Sequence, residues 1–355
     1  MRHLAAAAIE RSVPGHALPG LHSGIAGLAL LAAVSAAGAE PTRYPLTIEN
    51  CGARLTFAWA PRRVVSIGQT QTEFLFALGL ADRVVGTAVW FGPVAKGFET
   101  ANVTVKRLAE NNPSFEAVLG QDPDLVTAMF AWHIGPHGSV ARREQFTALG
   151  VPVYVAPADC VGKDNSAPGD GVRAQPFSTE LVYRNIREFG RIFDVVERAE
   201  VLADDLKARE DTAAASARVQ SERDLPVVVW FSSRTLTGDA FVAGSKGVPA
   251  YILGKVGARN AVTADEEWPL VSWERIAALD PEVIVVVRMD RRMFPADDVE
   301  AKLTFLRTDP VASHLRAVRQ GRIIVMEAAA TRPGLGVTDG IVALADDLRK
   351  IGLGQ

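Results

Sequence analysis

The sequence predicts an α/β protein of two similar lobes joined by one long helix, and three observations carry that prediction. Two stretches, SFEAVLGQDPDLVTA from Ser114 and SWERIAALDPEVIVV from Ser272, align without a gap. Between them the longest helical pattern in the chain runs through residues 178–222 with no Gly-Ser or Pro-rich break. At 355 residues the chain is long enough for two ordinary cores.

At the N-terminus the uncharged run GIAGLALLAAVSAAGA, Gly24 to Ala39, ends in the small residues Ala37-Gly38-Ala39. It is too short to span a bilayer comfortably and suits a secretory signal over residues 1–39, with an N-terminal membrane anchor as the alternative. No cysteine stands at the cleavage position, so no lipoprotein anchor is encoded there.

Next, Arg63 to Ile67 reads as a strand, Gln69 to Gln71 as a turn, and Thr72 to Gly79 as a helix capped by its glycine. Val84 to Ala88 resumes a strand. In the first copy of the repeat Phe115, Val118 and Leu119 fall at i, i+3 and i+4 of a short helix. Asp122-Pro123-Asp124 ends it, because proline disfavours a helical residue before it, and Leu125 to Phe130 follows as a buried strand. The second copy repeats each step, with Trp273, Ile276 and Ala277 on the helix, Asp280-Pro281-Glu282 as the break and Val283 to Val287 as the strand. Helix, tight turn and buried parallel strand form the second half of a βαβ unit. Around the second copy, Pro226 to Phe231 is a strand, Val248 to Lys255 a helix and Ile323 to Val325 a late strand. Leu181, Ile186, Phe189 and Phe193 stripe the connecting helix. The resulting division is a first lobe over 44–177, a linking helix over 178–223 and a second lobe over 224–355. A helical strut favours small rocking over wide hinge closure.

A net charge of −3 argues against a nucleic-acid binder, which normally shows a basic surface. The two cysteines, Cys51 and Cys160, in an exported chain suit a disulfide better than a metal site, since two thiols do not complete a tetrahedral zinc shell. Two separate buried thiols are the alternative. Phosphate loops, dinucleotide fingerprints, a nucleophile elbow and H-E-x-x-H are all missing; GVPAYILGKV and PGLGVTDG have the wrong spacing. Nothing recommends an enzyme. His133 and His137 in FAWHIGPHG sit on a loop broken by Gly135-Pro136, so they are not a helical metal pair. A plain polar loop is one reading; contact between His133 and a ligand is the other.

In open α/β sheets ligands gather outside the carboxyl ends of the strands. The residues there are Gln69, Thr70, Trp90, Phe91, Trp132 and His133 in the first lobe, and Ser232, Arg234, Arg288 and Arg332 in the second. Aromatics thus come from one lobe and arginines from the other, across a cleft between them. Guanidinium groups grip carboxylate, catecholate or phosphate oxygens, and Trp and Phe faces cover flat or apolar surface. Trp268 and Trp273 either reach this cleft or pack beneath the second repeat.

The segments PRRVVSIGQTQTEFLFALGLADRVVGTA, the duplicated (F/W)E…DP(D/E) units, GDAFVAGSKGVPAYIL and FLRTDPVASHLRAVRQGRIIVM together resemble the periplasmic binding proteins of ABC importers for iron-siderophores, haem and vitamin B12. The resemblance runs from Tyr44 onward. It implies two Rossmann-like lobes, one long joining helix, a ligand cleft between the lobes, and a surface glutamate on each lobe that docks with arginines of the membrane permease. The matching positions are Glu116 and Glu274. Both also suit the first turn of a helix on electrostatic grounds alone. Two departures matter: the family's lipoprotein cysteine is missing, which points to a free periplasmic protein, and the scarcity of tyrosine weakens a haem reading.

The function this implies is non-enzymatic capture of a metal chelate, a ferric siderophore first and a corrinoid next, for delivery to an ABC permease. Arg234, Arg288 and Arg332 would neutralise its acidic oxygens, and Trp90, Phe91 and Trp132 would cover its organic shell. No resident cofactor or metal is expected, and the protein is expected to act as a monomer. The rivals are a two-lobed enzyme working in the same cleft and a sensor that reports occupancy to a membrane receptor.

Overall fold

The structure, a computed structural model, describes residues 40–217 and 224–353; the signal segment expected over 1–39 lies outside the described residues. The first described elements form an antiparallel hairpin, β1 (Leu46–Asn50) and β2 (Ala53–Phe57), with Leu46 opposite Phe57. Its two-residue turn is Cys51-Gly52, both at positive φ, as the twist of a tight hairpin requires.

The first lobe is a five-stranded parallel sheet of β3 (Val64–Ile67), β4 (Val84–Ala88), β5 (Arg107–Ala109), β6 (Leu125–Ala128) and β7 (Val153–Val155), ordered β5-β4-β3-β6-β7. Every residue of β3 and β6 is buried, which accounts for their continuous rather than alternating apolar character. The crossovers carry α1 (Gln69–Ala77), α2 (Glu99–Thr104), α3 (Phe115–Leu119) and α4 (Arg143–Thr147). Gln69 to Gln71, expected as a turn, form the first turn of α1. The reversal is compressed into Gly68, at φ 134°, where an added Cβ would lie 2.2 Å from Met129 Cβ. A short hairpin, β8 (Lys163–Asp164) and β9 (Val172–Arg173), follows.

The segment 178–222 reads as one helix in sequence; its described part, up to Ala217, holds two, α5 (Glu180–Ile192) and α6 (Val196–Ala217). Asp194 adopts a left-handed conformation between them, and the helices fold together so closely that a Cβ on Gly190 would lie 2.4 Å from Ala199 Cβ. Of the two, α6, roughly 33 Å long at 1.5 Å per residue, packs on α5 and on helices of the second lobe.

The second lobe holds β10 (Pro226–Ser233), β11 (Ala240–Val242), α7 (Val248–Lys255), β12 (Arg259–Asn260), β13 (Leu270–Val271), α8 (Trp273–Leu279), β14 (Val283–Arg288), α9 (Val299–Thr308), α10 (Arg316–Arg319), β15 (Ile323–Glu327) and α11 (Gly336–Lys350). β10, β14 and β15 are parallel neighbours, β12 adds parallel to β10, and β11 and β13 extend the edge antiparallel. The duplicated segments fold alike: Ser114 Oγ caps α3 by accepting from Ala117 N at 3.1 Å, and Ser272 Oγ caps α8 by accepting from Arg275 N at 3.3 Å. Buried Glu210 of α6 accepts from Tyr183 of α5 (2.6 Å) and from Tyr251 of α7 (2.5 Å), and pairs with Lys255 of α7 (2.6 Å). Burial alone would raise its carboxyl; these partners outweigh it and hold the pKa below the ordinary value. One carboxylate thus fastens the connecting helix to both lobes.

Candidate functional site

The carboxyl ends of both parallel sheets open onto a cleft between the lobes, made of two adjoining cavities of about 560 and 350 Å³. They share Phe91, Phe231, Trp268 and Arg332. A third cavity, of about 380 Å³, has only Arg332 in common with them.

Aromatic rings come from both lobes, not from one as the strand-end residues suggested. On the first lobe Phe130 and Trp132 stack at 6.0 Å, and Phe91 meets Phe130 edge-on at 6.3 Å. On the second, Phe231 and Trp268 lie 4.5 Å apart. Trp268 therefore reaches the cleft, while Trp273 is buried edge-to-face with Trp230 at 4.7 Å. Phe130 follows β6 and Phe231 lies two residues before the end of β10, so both are near strand ends; Trp268 sits in a loop that no periodicity marks.

Of the three arginines expected in the cleft, only Arg332 lines it. Arg288 is the last residue of β14, turned to its register partner Glu327, with which it forms an exposed 2.8 Å ion pair. Arg234 is exposed in the turn after β10 and lines none of the three cavities. Arg332 sits over the Phe91 ring at 5.0 Å, its Nε shielded from solvent and without a hydrogen-bond acceptor. Burial lowers its pKa to about 10, partly opposed by Glu73 and Asp290.

Three aromatic or polar candidates also move out of the cleft. Trp90 is in the core, donating from Nε1 to Thr87 Oγ1 at 3.0 Å beneath the Arg107 guanidinium at 4.0 Å. Gln69 is consumed by structure: its amide donates to Pro93 O (2.8 Å) and Glu73 Oε1 (3.0 Å) and accepts from Phe91 N (3.0 Å). It thereby holds the backbone at Phe91 in place. His133 is fully buried against Trp132, ring centroids 4.0 Å apart, with neither ring nitrogen bonded. Burial pushes its pKa down to about 4. Phe91 and Trp132 do line the cleft, and Thr70 lines the third cavity.

The remaining charges around the cleft are matched. Arg173 and Lys163, on β9 and β8 of the small hairpin, pair across the lobes with Glu267 at 2.9 and 3.6 Å. Lys163 also pairs with Asp159 (2.8 Å) and Asp170 (3.0 Å). Burial lifts Asp159 to about 6 against the pull of Lys163. Asp297 accepts from Ser232 Oγ and from the amides of Met293 (2.6 Å) and Phe294 (2.8 Å), pinning the loop that carries Arg291. Arg291 crosses to the first lobe, donating to Trp90 O at 3.2 Å and to Asn111 Oδ1. Glu267 and Arg291 give no sequence signal, because their partners lie across the interface.

No tyrosine lines the cleft. Tyr154 bonds Glu188 (2.7 Å), Tyr183 and Tyr251 bond Glu210, and Tyr44 bonds Ile192 O (2.8 Å). Among the described residues no group of three or more His, Cys, Asp or Glu is placed to hold a bare metal ion. Cys51 and Cys160 are joined in a disulfide, Cα atoms 5.5 Å apart, that ties the β1–β2 turn to the segment leading into the Lys163 hairpin. Glu116 and Glu274 are exposed in the first turns of α3 and α8.

Comparison with known proteins gives one consistent answer. The signature of the periplasmic binding protein family matches residues 64–330. An uncharacterized ABC transporter substrate-binding lipoprotein of Bacillus subtilis, YvrC, is 24% identical over 308 residues, 86% of each chain. A vitamin B12-binding protein of Photorhabdus laumondii is 23% identical over 64% of this chain and 71% of its own. Among solved structures, the ABC-type Fe3+-hydroxamate transport system protein of Saccharomonospora viridis superposes with a TM-score of 0.68. It is 26% identical, covering 86% of this chain and 99% of that one.

Proposed function

The chain belongs to the periplasmic binding protein family, and from that premise we propose that it captures a ferric siderophore of the neutral, trihydroxamate class and passes it to an ABC permease. The observation that carries this reading is Arg332. It is the one cation of the cleft lining whose charge no carboxylate or carbonyl meets within hydrogen-bonding distance among the described residues. A buried guanidinium without an acceptor calls for a ligand oxygen. Because the other cations are matched, it calls for one oxygen-bearing group and little net negative charge. A ferric trihydroxamate is neutral and presents carbonyl and N–O oxygens around a compact core; a ferric tricatecholate carries three negative charges that this lining would leave unanswered. The aromatic faces of Phe91, Phe130, Trp132, Phe231 and Trp268 suit the apolar shell of such a core.

A corrinoid is the second reading, favoured by the similarity to vitamin B12-binding proteins and by the near-neutral lining. Haem fits less well, since among the described residues no Tyr or His lines either cleft cavity. Delivery would use Glu116 and Glu274, one exposed acidic contact on each lobe at matching places in a duplicated unit, suited to a permease with two-fold symmetry.

The test is tryptophan quenching of the protein from residue 40 onward, titrated with a ferric trihydroxamate, a ferric tricatecholate, cobalamin and haem. Sub-micromolar, saturable quenching by the trihydroxamate alone supports the proposal. Preference for the tricatecholate would overturn it, and preference for cobalamin would transfer it to the second reading.

A further inference from the structure

The third cavity adjoins the cleft at Arg332. Its walls come from both lobes: Thr70 and Glu73 on α1 face β15 and α11, with Ile324, Ala330 and Leu344 among the apolar lining. Of its four carboxylates three are answered by cations, Glu327 by Arg288, Asp339 by Arg209 and Asp347 by Lys350. The fourth is Glu73, 7% exposed, with no Lys or Arg in ion-pair range among the described residues. Its Oε1 accepts from Gln69 Nε2 (3.0 Å) and Ala95 N (2.9 Å); nothing among those residues donates to Oε2. Beside it, buried Thr70 Oγ1 also has no hydrogen-bond partner. Burial raises the Glu73 carboxyl above its ordinary range, with Arg332 among the opposing influences. A half-satisfied buried carboxylate is expensive unless a donor completes it.

We propose that this cavity is a subsite for a primary ammonium group on a short alkyl arm of the bound chelate. Glu73 Oε2 and Thr70 Oγ1 accept its N–H bonds, and the apolar wall covers its methylenes. Arg332, the residue shared with the cleft, marks where the arm enters. The inference rests on the chelate reading above and narrows it to trihydroxamates that carry a free amine.

The experiment titrates the wild type and Glu73→Gln with ferrioxamine B, a linear ferric trihydroxamate ending in a primary amine, and with its N-acetyl derivative. Gln retains an oxygen for the Ala95 amide, so the local fold is kept. The expected result is at least tenfold tighter wild-type binding of the amine form, a preference that Glu73→Gln abolishes by weakening that ligand alone. Equal wild-type affinities, or an equal loss for both ligands in the variant, would overturn the subsite and leave the trihydroxamate reading standing. If the wild type binds neither, the chelate reading has failed, and n-pentylammonium chloride tests the subsite by itself. A saturable shift of the Ala95 amide resonance that Glu73→Gln removes supports it; no shift overturns it.

Discussion

Arg332 is expected at the ligand and His133 either there or in a plain polar loop, and tertiary burial gives them opposite fates. Arg332 keeps a shielded, unanswered Nε at the junction of three cavities. A hydrogen bond to a charged group is worth about 1.5–3 kcal/mol, so Arg332→Ala should weaken chelate binding roughly 10- to 100-fold. Arg234→Ala and Arg288→Ala should leave the affinity within about twofold, measured in the same titration. His133 instead lies under Trp132, where only the neutral ring is tolerated. Folding lowers its pKa from 6.5 to about 4, so the unfolded chain takes the proton first. Stability from this residue is whole above about pH 6.5 and drains as the pH falls toward 4, by at most ~3 kcal/mol. Urea unfolding of His133→Phe between pH 4 and 7 should show a flatter acid limb than the wild type; an unchanged slope would assign the acid sensitivity elsewhere. The strand-end rule located both residues, but strand ends alone do not tell a lining side chain from one packed beneath it.

At the scale of elements, local chemistry was the better guide. The helix Val248–Lys255 and the strand Val84–Ala88 have the bounds read from their apolar runs, because capping and turn residues fix them locally. The break between α5 and α6 was not legible: apolar and charged residues keep a helical rhythm through Asp194, and neither Gly nor Pro marks the reversal. The close fit of Gly190 against Ala199 across the hairpin lets the two helices pack once the chain has turned at Asp194. The Cys51–Cys160 disulfide joins elements 109 residues apart in sequence. On loop-closure grounds its loss should lower the unfolding free energy by about 2–5 kcal/mol. Denaturant titration of the Cys51→Ser/Cys160→Ser double variant checks this, and a change under about 1 kcal/mol would mean that the unfolded chain is not the state the bridge restricts.

For the whole molecule, the lobes meet through Glu267 with Arg173 and Lys163 on one side and through Arg291 with Trp90 and Asn111 on the other. Breaking the first set with Glu267→Gln should speed ligand release severalfold in stopped-flow fluorescence, with the fold intact. Unchanged release would show that these ion pairs do not hold the cleft. The outer face makes a separate prediction. Glu116→Ala/Glu274→Ala should retain chelate affinity and lose uptake in cells; undiminished transport would remove the docking role and leave the glutamates as partners of their helix N-termini.

Two α/β lobes, their duplicated helix–turn–strand unit, the family and a pair of acidic positions on matching helices can all be read along the chain. Each of these is written in local periodicity, turn chemistry or repeated order. Which strand-end residues face the cleft, that Trp268 joins them and Trp90 does not, and that Arg332 Nε and Glu73 Oε2 are left without hydrogen-bond partners emerge only in three dimensions. Those outcomes depend on what the other lobe brings within a few ångströms, and no spacing along one chain encodes a distance across an interface.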